Sequence, residues 1–195
     1  MVSTEPAQTP GSLDDALADS FPASDPPSQT SPSAATPSSA FISPTEHGEL
    51  RLYRVIEAKQ ASEPFAPADV SARWTPAGVR CVYASLSPAT ALLEFLVHLE
   101  GRTPKDLLLA VGMIPAESVL AEINEPSTWA GMPYRPEVQE VGASWIRSRR
   151  SLAMRVPSAI CRDECNLLLN PDHPGFAALQ LIALRPISID ERLRT

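Results

Sequence analysis

The sequence has no hydrophobic run long enough to cross a membrane, and it contains only three cysteines in 195 residues. A membrane-spanning helix needs roughly 18 or more consecutive apolar residues. The first residues also lack the basic segment and apolar core of a secretory signal. Cys81, Cys161 and Cys165 form an odd and sparse set, which fits a reducing compartment better than a disulfide scaffold. We therefore expect a cytoplasmic protein that does not engage a membrane.

Positive charge is also scarce, because 16 lysines and arginines face 23 acidic residues and give a formal net charge of −7. A nucleic-acid-binding domain usually carries a basic face, so we expect no direct contact with nucleic acid. The acidic balance does not argue against a small anionic ligand, since a few local arginines suffice to bind one.

Several familiar catalytic motifs are missing. The chain has no phosphate-binding glycine-rich loop, no Gly-x-Ser-x-Gly elbow and no paired-histidine metal motif. Cys161 and Cys165 have only the distant His173 for company and lack the fourth ligand of a zinc site. Ser158 with His173 lacks the third group of a nucleophilic triad. We expect neither a bound metal nor serine-hydrolase chemistry.

Proline is abundant, at 21 residues, and is concentrated at the N-terminus. Residues 1–48 consist mainly of Pro, Ser, Thr and Ala and cannot bury enough apolar surface to offset the entropy of ordering. We predict a disordered tail there, with a short transient helix at 13–21 that stops at Pro22. Residues 49–195 are long enough for one domain with its own core.

The predicted domain has many short strands and few helices, which is typical of an α+β fold around a mainly antiparallel or mixed sheet. Predicted strands cover residues 50–56, 79–85, 106–114, 119–123, 152–160 and 181–189. One helix begins after the N-cap Ser87 with Pro88 at its first position, and Gly101 is its expected end. A second helix is predicted over 138–149.

The central stretch of the chain, residues 72–100, reads as loop, strand, turn and helix. It places Tyr83 near the end of a strand and Glu94 two turns into the following helix. Together with Arg73 of the loop, these residues can hold a planar cation and stabilise developing positive charge. The alternative is that Glu94 is a solvated helix glutamate paired with His98, because it falls off the apolar stripe.

Several short segments, taken in order, resemble a RES domain, a family named for an Arg, a Glu and a Ser. They are Leu52-Tyr53-Arg54, Ala72-Arg73-Trp74 with Gly78, Val82-Tyr83-Ala84, Thr90-Ala91-Leu92-Leu93-Glu94, Val156-Pro157-Ser158-Ala159, Asn166 to Pro174 and Asp190-Glu191-Arg192-Leu193. The most specific feature is Tyr83 eleven residues before Glu94, followed by Val-Pro-Ser-Ala and then Asn-Pro-x-His-Pro. Ser71-Ala72 stands where the family often has glycines.

The resemblance implies an ADP-ribosyltransferase-like fold and NAD as substrate, with no permanently bound cofactor. It implies the toxin half of a toxin–antitoxin pair with an Xre-type antitoxin as partner. The implied reaction is cleavage of the nicotinamide–ribose bond by hydrolysis or phosphorolysis, and the alternative is transfer of ADP-ribose to a protein. A hypothesis from another class is a non-catalytic partner-binding module with the tail as its docking arm.

The roles of Glu94 and Tyr83 follow from the resemblance and from the chemistry of this bond. Its cleavage develops oxocarbenium character at the ribose, as in glycoside hydrolysis. A carboxylate beside the sugar, Glu94, would stabilise that charge and bind a ribose hydroxyl. Tyr83 would offer its ring face to the cationic nicotinamide. The alternative for Tyr83 is a core residue.

Arg54 and Ser158 are also catalytic candidates, and both belong with Arg73, Tyr83 and Asn170 to the expected NAD-binding residues. Arg54 and Arg73 are expected to bind the diphosphate through bidentate contacts, and Ser158 to hydrogen-bond the ribose or the carboxamide. Asn170 is included among the NAD-binding residues and is expected to order its loop. Their alternatives are a surface arginine for Arg54, turn residues for Ser158 and Asn170, and a capping residue for His173.

Overall fold

The computed structural model describes residues 48–99, 102, 104–121 and 123–193. The predicted tail lies outside these residues except for Gly48, and the predicted helix at 13–21 lies outside them entirely. Gly101, the expected end of the first helix, is also outside. The division into a disordered tail and a domain beginning at residue 49 therefore stays a prediction.

Within the described residues the chain forms seven strands and two α-helices. The strands are β1 Glu49–Glu57, β2 Val82–Ser85, β3 Leu107–Pro115, β4 Val119–Leu120, β5 Ala153–Pro157, β6 Cys165–Leu169 and β7 Gln180–Ile187. The helices are α1 Pro88–Val97 and α2 Pro136–Ser148. Short 3-10 turns follow β1 and β3, precede β7 and lie near the C-terminus.

All described strands belong to one mixed sheet in the order β4-β5-β6-β2-β1-β3-β7. Every neighbouring pair is antiparallel except β4 and β5, which run parallel. The prediction of an α+β fold with a mixed, mainly antiparallel sheet is confirmed. β2 is shorter than predicted, because Cys81 forms only an isolated bridge to Ala68 before the strand begins.

The sheet is weakly joined between β1 and β2. These strands share one paired position, Tyr53 opposite Ser85, whereas β1 pairs with β3 along its whole length. The sheet therefore divides into a half containing β1, β3 and β7 and a half containing β2, β4, β5 and β6. The gap between the halves can admit a ligand because few ladder hydrogen bonds close it.

Helix α1 begins as the sequence predicts. The Ser87 side chain accepts a hydrogen bond from the backbone N–H of Thr90 at 3.1 Å, and Pro88 occupies the first turn. The buried side of the helix packs with Val55 and Leu107 of the β1–β3 half. The helix ends at Val97, with His98 as its C-cap. Glu94 is thereby held beside the gap in the sheet.

Helix α2 packs over β5 and β6 and also fixes the loop that precedes β2. Its apolar side shares a core cluster with Trp74, Met154 and Leu168. A Cβ at Gly142 would overlap the carbonyl of Trp74, so only glycine allows this close approach. The Gln139 side-chain amide donates to the carbonyl of Ala72 at 2.8 Å. The loop containing Arg73 is therefore held by the helix.

Strand register places both helices on the same face of the sheet. Asn166 pairs with Ser85 on one side and Val156 on the other, and Ser85 in turn pairs with Tyr53. These side chains form one row on the helix-covered face, since directly paired residues share a face. The other face is filled by a separate core cluster that includes Leu52. In the described part of the chain, no helix is long and apolar enough to cross a membrane.

Candidate active site

A cavity of about 200 Å³ lies at the gap between β1 and β2. Its walls come from both halves of the sheet and from helix α1. The lining residues are Tyr53, Arg54, Val55, Tyr83, Ala84, Ser85, Ala91, Glu94, Phe95, His98 and Asn166. We refer to it as the first cavity. It brings together Arg54, Tyr83 and Glu94, three of the residues expected to form the site.

A second cavity, of about 380 Å³, adjoins the first. The two share Tyr83, Glu94, His98 and Asn166. The other lining residues are Ala72, Arg73, Trp74, Val97, Met132, Tyr134, Pro157, Ala159 and Ile160. The cavities therefore form one two-part cleft, in which the second part contains Arg73 and the shared boundary contains the carboxylate of Glu94.

The Glu94 carboxylate is half-buried and hydrogen-bonded through one of its two oxygens. Its Oε1 accepts from the Ser158 hydroxyl at 2.9 Å and from the Asn166 amide Nδ2 at 2.5 Å. Within the described residues Oε2 has no hydrogen-bond partner. This environment differs from that of a solvated helix glutamate. The two donors stabilise the ionised carboxylate and leave one oxygen for a ligand.

Ser158 lies behind Glu94 and does not line either cavity. It is fully buried, and its Oγ accepts from the backbone N–H groups of Ile160 and Cys161, each at 3.2 Å. Since these donors occupy the lone pairs of the hydroxyl, its proton is directed at Glu94. Ser158 therefore contacts the acid, and a direct contact with a ligand in the cleft would need a rearrangement.

Tyr83 is held by its hydroxyl and presents its ring to both cavities. The hydroxyl lies 3.0 Å from the Thr75 Oγ1 and accepts from the Trp74 backbone N–H at 3.3 Å. Burial raises the pKa of Tyr83 well above its ordinary value. The phenol is therefore neutral across the physiological pH range, and its ring serves as an apolar wall with an electron-rich face.

Arg54 brings an unbalanced positive charge to the first cavity. Its Nη1 donates to the carbonyls of Ala66 at 2.9 Å and Pro64 at 3.4 Å. Burial lowers the pKa of Arg54 from its ordinary value, but a guanidinium remains cationic in a protein. No carboxylate among the described residues forms an ion pair with it. Nearby Cys81 does not neutralise it, because burial raises the pKa of that thiol to about 12.

Arg73 lines the second cavity and, like Arg54, is held by backbone carbonyls. Its Nη1 donates to the carbonyls of Trp129 at 2.8 Å and Gly131 at 3.1 Å. The guanidinium carbon stands 5.4 Å from the ring centroid of Tyr134, a cation–π arrangement. The indole rings of Trp74 and Trp129 stack next to it with centroids 6.0 Å apart. Backbone carbonyls and an aromatic ring thus fix this second arginine.

Asn170 lies away from the cleft. It is fully buried, its Nδ2 donates to the Ile146 carbonyl at 2.8 Å, and its Oδ1 accepts from the Asp172 N–H at 2.9 Å. It therefore ties the end of β6 to helix α2 and lines neither cavity. His173 accepts from the Gly175 N–H through Nδ1 at 3.0 Å and caps the following 3-10 turn.

Sequence reasoning missed Asn166, Ser85 and His98 as cleft residues. A signal existed for Asn166, because it is a polar residue in a short strand that is otherwise apolar. His98 lies one turn after Glu94 and therefore on the same side of the helix. Within the described ranges, no group of three or more His, Cys, Asp or Glu residues is placed to hold a metal ion.

The fold and the cleft define a class: an α+β protein with a divided sheet and a two-part cavity that contains an acid, an aromatic ring and two arginines. The profile of the RES domain family matches residues 51–191 of this chain. The match covers more than half of the sequence, and the chain belongs to the RES domain family.

Three relatives illustrate the range of similarity. A Sphingobium protein named Prs ADP-ribosylating toxin is 35% identical over 127 residues, covering 62% of this chain and 79% of the relative. A Pseudomonas putida protein named Toxin Res is 36% identical over 127 residues, covering 64% and 86%. A Yersinia enterocolitica Toxin Res is 28% identical over 153 residues, covering 74% and 100%.

A solved structure has the same fold. The M. tuberculosis MbcT–MbcA toxin–antitoxin complex contains a chain that superposes with a TM-score of 0.58 at 15% identity. The match covers 75% of this chain and 89% of that one. It confirms the predicted α+β architecture at the level of fold.

Proposed function

We propose that this protein is an NAD-consuming toxin that breaks the bond between nicotinamide and ribose. The observation that carries the proposal is the convergence of Arg54, Tyr83 and Glu94 on one cavity. Membership of the RES family and the toxin names of its relatives support it. NAD is a substrate in this account, and no cofactor is held between turnovers.

Glu94 supplies the main catalytic effect. As the bond from ribose C1′ to the nicotinamide nitrogen lengthens, positive charge spreads over C1′ and the ring oxygen. Glu94 lines both cavities, and its Oε2, which has no hydrogen-bond partner among the described residues, stabilises that charge more in the transition state than in the ground state. Ser158 and Asn166 hold the other oxygen, so little reorganisation accompanies the reaction.

The other cleft residues bind the two ends of the dinucleotide. The Tyr83 ring lies against the cationic nicotinamide, a cation–π contact that weakens once the leaving group becomes neutral. Arg54 binds the diphosphate, because among the described residues no carboxylate balances its charge and carbonyls engage only one of its terminal nitrogens. Arg73 lies in the larger second cavity, which accommodates the rest of the nucleotide.

The acceptor of the ribosyl group distinguishes two reactions. Water or phosphate would make the protein an NAD glycohydrolase or phosphorylase, our first proposal. Transfer to a protein is the alternative, favoured by the relative named Prs ADP-ribosylating toxin at 35% identity. We also propose an antitoxin partner, which the toxin–antitoxin complex of the structural neighbour supports. Its Xre type is proposed from the family resemblance.

Mass spectrometry of NAD incubated with the full chain tests the function. We expect nicotinamide release, with ADP-ribose as coproduct in water and ADP-ribose phosphate when phosphate is the acceptor. ADP-ribose attached to an added cellular protein would indicate the transferase instead. Intact NAD under all conditions would overturn the proposal and favour a non-catalytic partner-binding module.

A further inference from the structure

Ser85 and Asn166 form a hydrogen-bonded pair in the wall of the cleft. They are directly paired across β2 and β6, so their side chains lie on the same face of the sheet. The Ser85 hydroxyl donates to the Asn166 Oδ1 at 2.6 Å. Ser85 is buried, with 3% of its surface exposed, and the pair is therefore largely shielded from competing water.

The contacts with Glu94 and with Ser85 together fix the orientation of the Asn166 amide. An asparagine amide has a donor end and an acceptor end of nearly the same shape. An ionised carboxylate only accepts, so the Nδ2 donor meets Glu94 Oε1 at 2.5 Å, and the Ser85 hydroxyl holds the amide there by donating to its oxygen. The reverse orientation would place the Asn166 oxygen against a carboxylate oxygen, which is repulsive.

Each of the two donors to Glu94 is itself held in place by hydrogen bonds. Ser158 is anchored by two backbone N–H groups, and Asn166 is anchored by Ser85. The donors come from neighbouring strands at the loop end of the β5–β6 hairpin and meet at one carboxylate oxygen. Two fixed donors on Oε1 restrict rotation of the carboxylate about its last bond, which leaves Oε2 directed into the cleft.

We propose that Ser85 and Asn166 are positioning residues that hold the Glu94 carboxylate in its reactive orientation. The proposal rests on the proposed function, since it assigns these residues to the same acid. It predicts that their loss lowers the rate of the chemical step and leaves NAD binding nearly unchanged.

Steady-state kinetics with three variants tests the pair. We expect Asn166→Ala to lower kcat by about 100-fold, and Ser85→Ala by about tenfold, because a hydrogen bond to a charged group is worth more than a neutral one. Ser85→Thr keeps the hydroxyl and should recover most of the activity. KM for NAD should change by less than about threefold in each variant, because the contacts that bind substrate and transition state equally are unchanged.

Asn166→Asp separates positioning from packing. The ionised aspartate repels Glu94, whereas one proton shared by the two carboxylates recreates a donor at the position of Nδ2. The kcat of Asn166→Asp, relative to that of the wild type, should therefore rise as the pH is lowered. The relative kcat of Asn166→Ala should not rise. Equal pH profiles for the two variants, or a higher KM with unchanged kcat, would overturn the proposal.

An NMR measurement tests the pair without substrate. The side-chain amide resonances of Asn166, assigned by their absence in Asn166→Asp, should move in Glu94→Gln and broaden or shift in Ser85→Ala. Unchanged resonances in both variants would overturn the positioning. If the wild type consumes no NAD, the proposed function fails while these spectra still decide whether Ser85 fixes the amide.

Discussion

The two sides of the cleft hold their charged groups by different means. On the acid side, Glu94 accepts from two side chains, Ser158 and Asn166, through a single oxygen. On the cation side, Arg54 and Arg73 donate to backbone carbonyls. Neither side uses a counterion from the described residues. Each charge is therefore fixed in place and left to attract an opposite charge on the ligand.

This difference predicts different consequences of mutation. Side-chain donors can be removed one at a time, so the acid side can lose its orientation while the fold is kept. Carbonyl partners cannot be mutated away, so the cation side is altered only through the arginines themselves. Damage to the acid side should lower kcat, and damage to the cation side should raise KM.

The largest effect is expected for Glu94→Gln. The substitution removes the negative charge and keeps the size of the side chain, so nicotinamide release should fall by at least about 1,000-fold with little change in KM. Glu117→Gln, an exposed residue outside both cavities, is the matched control and should retain wild-type activity. A loss of less than tenfold would show that the acid side does not carry the catalysis.

Ser158→Ala should come next. It removes one donor to Glu94 and leaves the buried N–H groups of Ile160 and Cys161 without their acceptor. We expect kcat to fall by about 100-fold and the free energy of unfolding to fall by about 1–3 kcal/mol. Kinetics and thermal unfolding of the same preparation measure the two effects. A rise in KM alone would place Ser158 in contact with the substrate instead.

Arg54→Lys tests the cation side of the cleft, where we expect an effect on KM and not mainly on kcat. Lysine keeps the charge but loses the planar fork that contacts both the carbonyls and a diphosphate. KM for NAD should rise by about tenfold or more, with a smaller change in kcat. Arg51→Lys, an exposed position on the same strand, is the control. An unchanged KM would exclude Arg54 from diphosphate binding.

The smallest effect is expected for Cys81, close to Arg54, and concerns how the free energy of unfolding changes at alkaline pH. The Cys81 thiol ionises near its ordinary value in the unfolded chain, but burial raises its pKa to about 12 in the fold. Above that ordinary value the unfolded state releases a proton that the folded state retains, so stability falls as the pH rises. Cys81→Ala should therefore flatten the loss of stability between about pH 9 and 11. An identical slope would contradict the buried, neutral thiol.

The local features of the fold were predictable because their signals lie close together in the sequence. Ser87 and Pro88 mark the beginning of α1, and the apolar run of β3 identifies a buried strand. Trp74 and Trp145 are each only 2% exposed and belong to one core cluster. Helix α2 begins at Pro136, two residues before its predicted start, because proline suits the first turn of a helix.

The arrangement around the acid was not predictable in the same way. Ser158 and Asn166 lie 64 and 72 residues from Glu94 along the chain, and no periodicity links positions so far apart. Strand order and register bring them together. The family resemblance supplied Ser158 as a candidate, but only the structure distinguishes a residue that contacts the acid from one that lines the cleft. Asn170 is among the residues expected to bind NAD. The structure instead places it at the end of β6, where its side chain contacts helix α2 and not the cleft.

The most direct test is quantification of nicotinamide and intact NAD after incubation with the wild-type chain and with Glu94→Gln. Our account predicts that the wild type releases one nicotinamide for each NAD lost, and that Glu94→Gln releases almost none while remaining folded. Equal release by both proteins, or cleavage at the diphosphate with nicotinamide still attached to ribose, would contradict it.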